Sequence, residues 1–246
     1  MNWFQKSLGL DERITVIKDR FSKVFGDHLS SLTLYGSALG NNWHPDHSDL
    51  NLIAEFRGDE TDILDWAAGL KKDFTKYSVS VHWFEEGGLA RAADVFPIEL
   101  LDLKLRRKVL IGSDPMDGVV IYRSDLRLAC ERFAREKILS LRTHYCANAG
   151  EEHAIRRVLL RSAPGWASVF QAVLYMNNMT IPEHAKERTE AIGEKLDIDT
   201  APFEALFEWR KMPKSGDAVF LMQLYRSYLR AVKGFIDSID RWEEHE

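Results

Sequence analysis

Asp49 and Asn51 stand two residues apart in Ser48-Asp49-Leu50-Asn51-Leu52-Ile53, downstream of Leu32-Thr33-Leu34-Tyr35-Gly36-Ser37. On a strand, residues i and i+2 project from one face, so these two side chains offer neighbouring oxygens to one hard divalent cation. Gly36 closes an apolar run at a point where a Cβ would crowd a phosphate, and Ser37 offers a hydroxyl and a backbone N–H to a phosphate oxygen. Ser48 opens the second run and is a further candidate contact. Glu99, in Pro97-Ile98-Glu99-Leu100-Leu101, supplies a third acid. The expected metal set is Asp49, Asn51 and Glu99, with Mg²⁺ as the ion, because Mg²⁺ takes few protein oxygens and keeps phosphate and water ligands. Taken singly, Gly-Ser is also an ordinary turn, Ser48-Asp49 a polar strand start and Glu99 an edge charge. Their order along the chain is what joins them into a nucleoside-triphosphate site.

Those side chains need strands to aim them. Ile14, Ile17, Phe21, Val24 and Phe25 recur at helical spacing over Asp11–Phe25, which predicts an amphipathic opening helix. Leu32 and Leu34 then alternate with Ser31 and Thr33, and Leu50, Leu52, Ala54 and Phe56 alternate with Asn51, Ile53 and Glu55; both read as strands. Leu64, Ala67, Leu70 and Phe74 return to helical spacing, and Val79, Val81 and Trp83 predict a third strand. Ile98 to Leu105 is expected to form a fourth, with Glu99 and Asp102 on opposite faces, and either acid could be the third. Beyond Asp114-Pro115 the strand signal fades. Leu126, Cys130, Phe133, Lys137 and Leu141 trace a long helix, and Ile155, Val158 and Leu159 another. Ser162-Ala163-Pro164-Gly165 breaks the chain. Pro182 suits the first turn of a further helix, and Leu221, Leu224, Tyr228, Val232, Phe235 and Ile239 mark the last. The expected architecture is an α/β (α+β) domain with a small mixed sheet over residues 1–118, followed by an all-α helical bundle over 119–246.

The run from Leu32 to Phe56 resembles the signature of the DNA polymerase β-like nucleotidyltransferase superfamily, which includes minimal and antibiotic nucleotidyltransferases. That signature is a Gly-Ser turn, about a dozen residues, then Ser-Asp-x-Asp on the next strand. The likeness extends with less specificity to about Gly112. It implies a transferase that moves a nucleoside monophosphate from a triphosphate, ATP in the first instance, to a hydroxyl of a small molecule or protein. By position, Asp49 matches the first metal-binding Asp, Ser37 the phosphate-contacting Ser, and Glu99 the third carboxylate, acting as ligand or base. Asn51 departs from the pattern. An amide oxygen ligates a hard cation but brings no negative charge, and the family's mechanism relies on metal to stabilise the leaving pyrophosphate. The same resemblance therefore carries an alternative: a catalytically impaired fold that senses nucleotide or binds a protein, as antitoxin-like members do.

Length and composition bound the rest. The 246 residues can bury a substantial core, and no apolar run is long enough to span a bilayer. The first residues, Met1-Asn2-Trp3-Phe4, lack a secretory layout, so the expected compartment is the cytoplasm, with Cys130 and Cys146 as reduced structural thiols. A formal net charge of −5 argues against a nucleic-acid coating protein. Residues 123–161 carry nine Lys and Arg against five Asp and Glu, a basic stretch that reads either as a solvated helix face or as a surface turned to polyphosphate. His44, Asp46 and His47 lie in the loop before Ser48, without a third soft ligand for zinc. Oligomeric state is left open.

Overall fold

The computed structural model describes residues 9–39, 49–148 and 150–242. Ser48, His44, Asp46 and His47 lie outside them. The chain divides into two compact units, Met1–Ile121 and Tyr122–Glu246.

The first unit is a four-stranded mixed sheet with helices. Its strands are β1 (Leu29–Tyr35), β2 (Leu50–Phe56), β3 (Val79–Glu85) and β4 (Arg107–Gly112), and its helices are α1 (Leu10–Phe25), α2 (Glu60–Gly69), α3 (Lys71–Tyr77), α4 (Gly88–Arg91) and α5 (Pro97–Leu105). The order across the sheet is β3-β2-β1-β4. β1 runs antiparallel to β2 and β4, while β2 and β3 are parallel. The parallel pair is joined through α2 and α3, the crossover that such a pair requires.

Alternation along the strands sorts the side chains onto two faces. Leu32, Leu34, Leu50, Leu52, Ala54 and Phe56 join Ile17, Phe21 and Phe25 of α1 and Ile63 and Ala67 of α2 in one buried core. The opposite face carries Ser31, Thr33 and Tyr35 from β1, Asn51, Ile53 and Glu55 from β2, and Ser80, His82 and Phe84 from β3, which the registers place beside one another. Polar side chains of the sheet gather on this second face.

The segment Ile98 to Leu105, expected as a strand, is helical. Pro97 occupies its first turn, where the missing N–H costs nothing, and Pro97, Leu100, Leu101 and Leu103 are buried. Adjacent buried leucines do not suit a strand with one solvated face, whereas Pro97, Leu100 and Leu101 fit the i, i+3, i+4 stripe of a helix. The fourth strand comes later, from Arg107.

The second unit is all-helical: α6 (Arg123–Ala147), α7 (Glu152–Ser162), α8 (Trp166–Met176), α9 (Ala185–Leu196), α10 (Ala201–Lys211) and α11 (Ala218–Asp240). The break at 162–165 falls between α7 and α8 as its residues imply, but Pro182 precedes α9 rather than starting it. Trp166 is the hub of the core, with the rings of Phe133, Phe170, Phe203 and Phe235 at centroid distances of 5.1, 5.5, 4.7 and 5.2 Å. Cys130 is buried here, its thiol pushed up to about 12 by loss of water, and Cys146 is an exposed free thiol.

Candidate functional site

One row of residues crosses the sheet at the end where β1 finishes and β2 begins. Tyr35 is the register partner of Arg107 on one side and of Asn51 on the other, and Asn51 is the partner of Ser80. Gly36 follows Tyr35 and turns the chain with φ of +80°, and a Cβ there would lie 3.4 Å from the Asn51 amide nitrogen. The glycine thus meets two demands, a left-handed backbone and close approach to a side chain on the neighbouring strand. Ser37 continues the short turn Gly36–Leu39. Asp49 is exposed immediately before β2, Asn51 is half-buried, and Ser80 and His82 are exposed on β3.

Glu99 reaches this neighbourhood from α5, not from a strand. Because helix residues i and i+3 share a face, Glu99 and Asp102 point the same way, contrary to the opposed faces expected of a strand. Both acids act on one phenol: burial pushes the Tyr35 hydroxyl above its ordinary range, and the charges of Asp102 and Glu99 raise it further. Arg107, next to Tyr35 in the sheet, is held by its own unit. Its Nε donates to Asp114 Oδ1 at 2.9 Å, Nη2 to Asp114 Oδ2 at 2.7 Å, and Nη1 to the Lys104 carbonyl at 2.7 Å. This fork raises Arg107 and lowers Asp114 through their hydrogen bonds, and it pins the start of β4 rather than presenting a cation to phosphate.

A cavity of about 220 Å³ opens beside this row, lined by Tyr35, Ile53, His82, Phe84, Leu89, Ala92, Phe96, Glu99 and Leu100. Its walls come from the second face of β1–β3 and from α4 and α5. His82 escaped the sequence reading, although its signal was present. Val79, Val81 and Trp83 belong to the apolar face, so alternation alone assigns Ser80 and His82 to the other one. The Tyr35 and His82 rings lie 6.4 Å apart.

The donors near Asp49 and Asn51 limit what metal this end can hold. One carboxylate and one amide oxygen fit a single hard cation that arrives with a triphosphate and keeps phosphate and water ligands. The residue beside Asn51 on β3 is a serine, and among the described residues no three His, Cys, Asp or Glu side chains are grouped to hold a metal.

No protein-family model matches the chain, and no curated protein does. Among solved structures, the chain is similar to the spectinomycin adenyltransferase AAD(9) from Enterococcus faecialis, crystallised with ATP and spectinomycin, at 15% identity and a TM-score of 0.50, over 94% of this chain and 99% of that one. At that identity the likeness speaks to fold, and it extends over both halves: this chain has a nucleotidyltransferase-like α/β fold with a small mixed sheet, followed by a helical region.

Proposed function

We propose that this protein binds a nucleoside triphosphate, ATP in the first instance, at the Gly36–Asn51 end of its sheet and transfers the nucleoside monophosphate to a hydroxyl of a small molecule. The observation that carries this reading is the juxtaposition of the Gly36 turn with Asn51, one residue pair from Asp49, on the fold shared with an enzyme whose structure holds ATP and a small-molecule partner. Gly36, Ser37 and Ser48 contact the triphosphate. Asp49, with Asn51 as a weaker ligand, holds the Mg²⁺ that accompanies it. When bound, that ion offsets phosphate charge in the transition state.

The residues of the chain divide the remaining work. The acceptor sits in the cavity beside the row, where Glu99 faces it. The acceptor oxygen bonds to the α-phosphorus as the bond to pyrophosphate breaks, and its proton passes to His82, which lines the same cavity and whose imidazole accepts it as general base. Titration calorimetry with Mg²⁺ and ATP tests the nucleotide assignment. Asp49→Ala is expected to lower affinity by at least about tenfold, the scale of a lost charged contact; unchanged affinity would overturn it.

The pairing of Asn51 with Ser80 favours a second reading, a fold that binds nucleotide without transferring it. Release of pyrophosphate from ATP by Asn51→Asp separates the two. Turnover gained only in that variant marks the natural chain as catalytically impaired, whereas turnover already present in the natural chain shows that the amide suffices. His82→Gln should then lower kcat with the KM for ATP unchanged.

A further inference from the structure

We infer that the cavity between the sheet and α5 takes a small aromatic or cycloaliphatic molecule bearing a single ammonium group. Its walls are Ile53, Leu89, Ala92 and Leu100 together with the rings of Tyr35, His82, Phe84 and Phe96, and Glu99 is the carboxylate at its rim. Neither lysine nor arginine is among the lining residues. An apolar chamber with aromatic faces and one acid selects a cation on an apolar body: the rings attract the ammonium through their π faces, and the carboxylate accepts its N–H groups. The negative field is felt within the chamber, since Glu99 and Asp102 both act on the Tyr35 phenol. Volume narrows the class further. About 220 Å³ falls below the range of roughly 300–1,000 Å³ that encloses drug-sized ligands. A polyhydroxylated polycation would leave most of its polar groups against Ile53, Leu89 and Leu100 without partners, which is costly.

Naming this molecule as the acceptor class rests on the transfer reading above; its binding does not. The test uses the full-length chain and two probes, 2-phenylethylamine and its neutral counterpart 2-phenylethanol, titrated at about pH 8, where imidazoles are ordinarily neutral and the amine is charged. The amine is expected to bind saturably, and the alcohol to bind about tenfold more weakly, as is the amine to Glu99→Gln, for loss of one charge-assisted contact. Ala92→Trp, which fills the chamber without touching the charge, should abolish amine binding while circular dichroism reports a folded chain. Equal affinity of amine and alcohol, or amine binding untouched by both substitutions, would overturn the inference, as would absence of saturable binding to the folded natural chain. Titrating Mg²⁺ and ATP into the same samples keeps the two claims apart. Amine binding without nucleotide binding sinks the transfer reading and upholds the cavity; nucleotide binding without amine binding sinks the cavity inference and leaves the nucleotide assignment standing.

Discussion

Exchanging a carboxylate oxygen for an amide oxygen, as at Asn51, keeps a ligand atom in place and removes a charge. The effect on a bound cation is therefore electrostatic before it is geometric. The opposite situation holds at the other end of the same strand face. Glu55 keeps its carboxylate in a buried position, where the Ser31 hydroxyl donates to one oxygen at 3.1 Å and the Gly87 N–H to the other at 3.2 Å. Burial nonetheless wins, and Glu55 sits above its ordinary value of 4.5. The folded chain therefore holds this proton more tightly than the unfolded chain. Its stabilising contribution is complete below 4.5 and is lost as pH rises through the elevated folded value. Glu55→Gln removes this dependence, since an amide can accept from Gly87 and donate to a rotated Ser31 hydroxyl. Thermal melts of both proteins at acid and neutral pH should show the variant gaining on the natural chain as pH rises, by about 1.4 kcal/mol per unit of elevation. A stability difference that stays constant with pH would show that Glu55 carries no linked proton.

At the scale of elements, the strands that frame the site were legible because one face of each is chiefly apolar while the other, though mostly buried as well, carries Ser31, Thr33, Asn51 and Glu55, so Leu32/Leu34 and Leu50/Leu52/Ala54/Phe56 announce a period of two. The segment after Phe96 was not, because Leu100, Leu101 and Leu103 supply apolar residues at both helical and alternating spacings. Reading the alternation placed Glu99 on a neighbouring strand and separated it from Asp102; the Pro97 first turn and the adjacent leucines were the signals that favoured a helix. The Asp49–Asn51 pairing was local and could be read from spacing. That Ser80 stands beside Asn51, and that His82 shares a cavity with Glu99, depended on the register of β2 and β3, which no local pattern specifies. The edge strand β4, also unforeseen, ends on a residue with a strict demand. Gly112 has φ of +75°, and a Cβ there would lie 1.9 Å from the Ser30 carbonyl oxygen. Gly112→Ala must therefore shift β4 away from β1 and is expected to cost at least about 1–2 kcal/mol. The urea midpoint should fall accordingly with little change in slope; an unchanged midpoint would mean that β4 is not held at that contact.

Across the whole molecule, the two units are stabilised by different chemistry, and the consequences of damaging each should differ. The first depends on sheet registers and an apolar face covered by α1 and α2. The second depends on aromatic packing around Trp166 and on buried polar contacts centred on Tyr228. Trp166 Nε1 donates to the Tyr228 hydroxyl at 2.6 Å, and that hydroxyl lies 2.7 Å from Ser162 Oγ and 3.3 Å from the Ser162 carbonyl. Burial pushes the Tyr228 phenol far above its ordinary range despite these partners, so it stays neutral and serves as a hydrogen-bond hub. Tyr228→Phe preserves the ring against Phe203 and Trp166 but leaves the indole N–H and the Ser162 hydroxyl to find new partners in a dry core. Leaving a buried donor unpaired costs about 1–3 kcal/mol. The variant is expected to unfold at a lower temperature with more exposed indole fluorescence, while its affinity for Mg²⁺ and ATP below the transition matches the natural chain, because the proposed nucleotide groups all belong to Met1–Ile121. A parallel loss of nucleotide affinity at temperatures where the variant is fully folded would overturn the assignment of those groups to Met1–Ile121 alone.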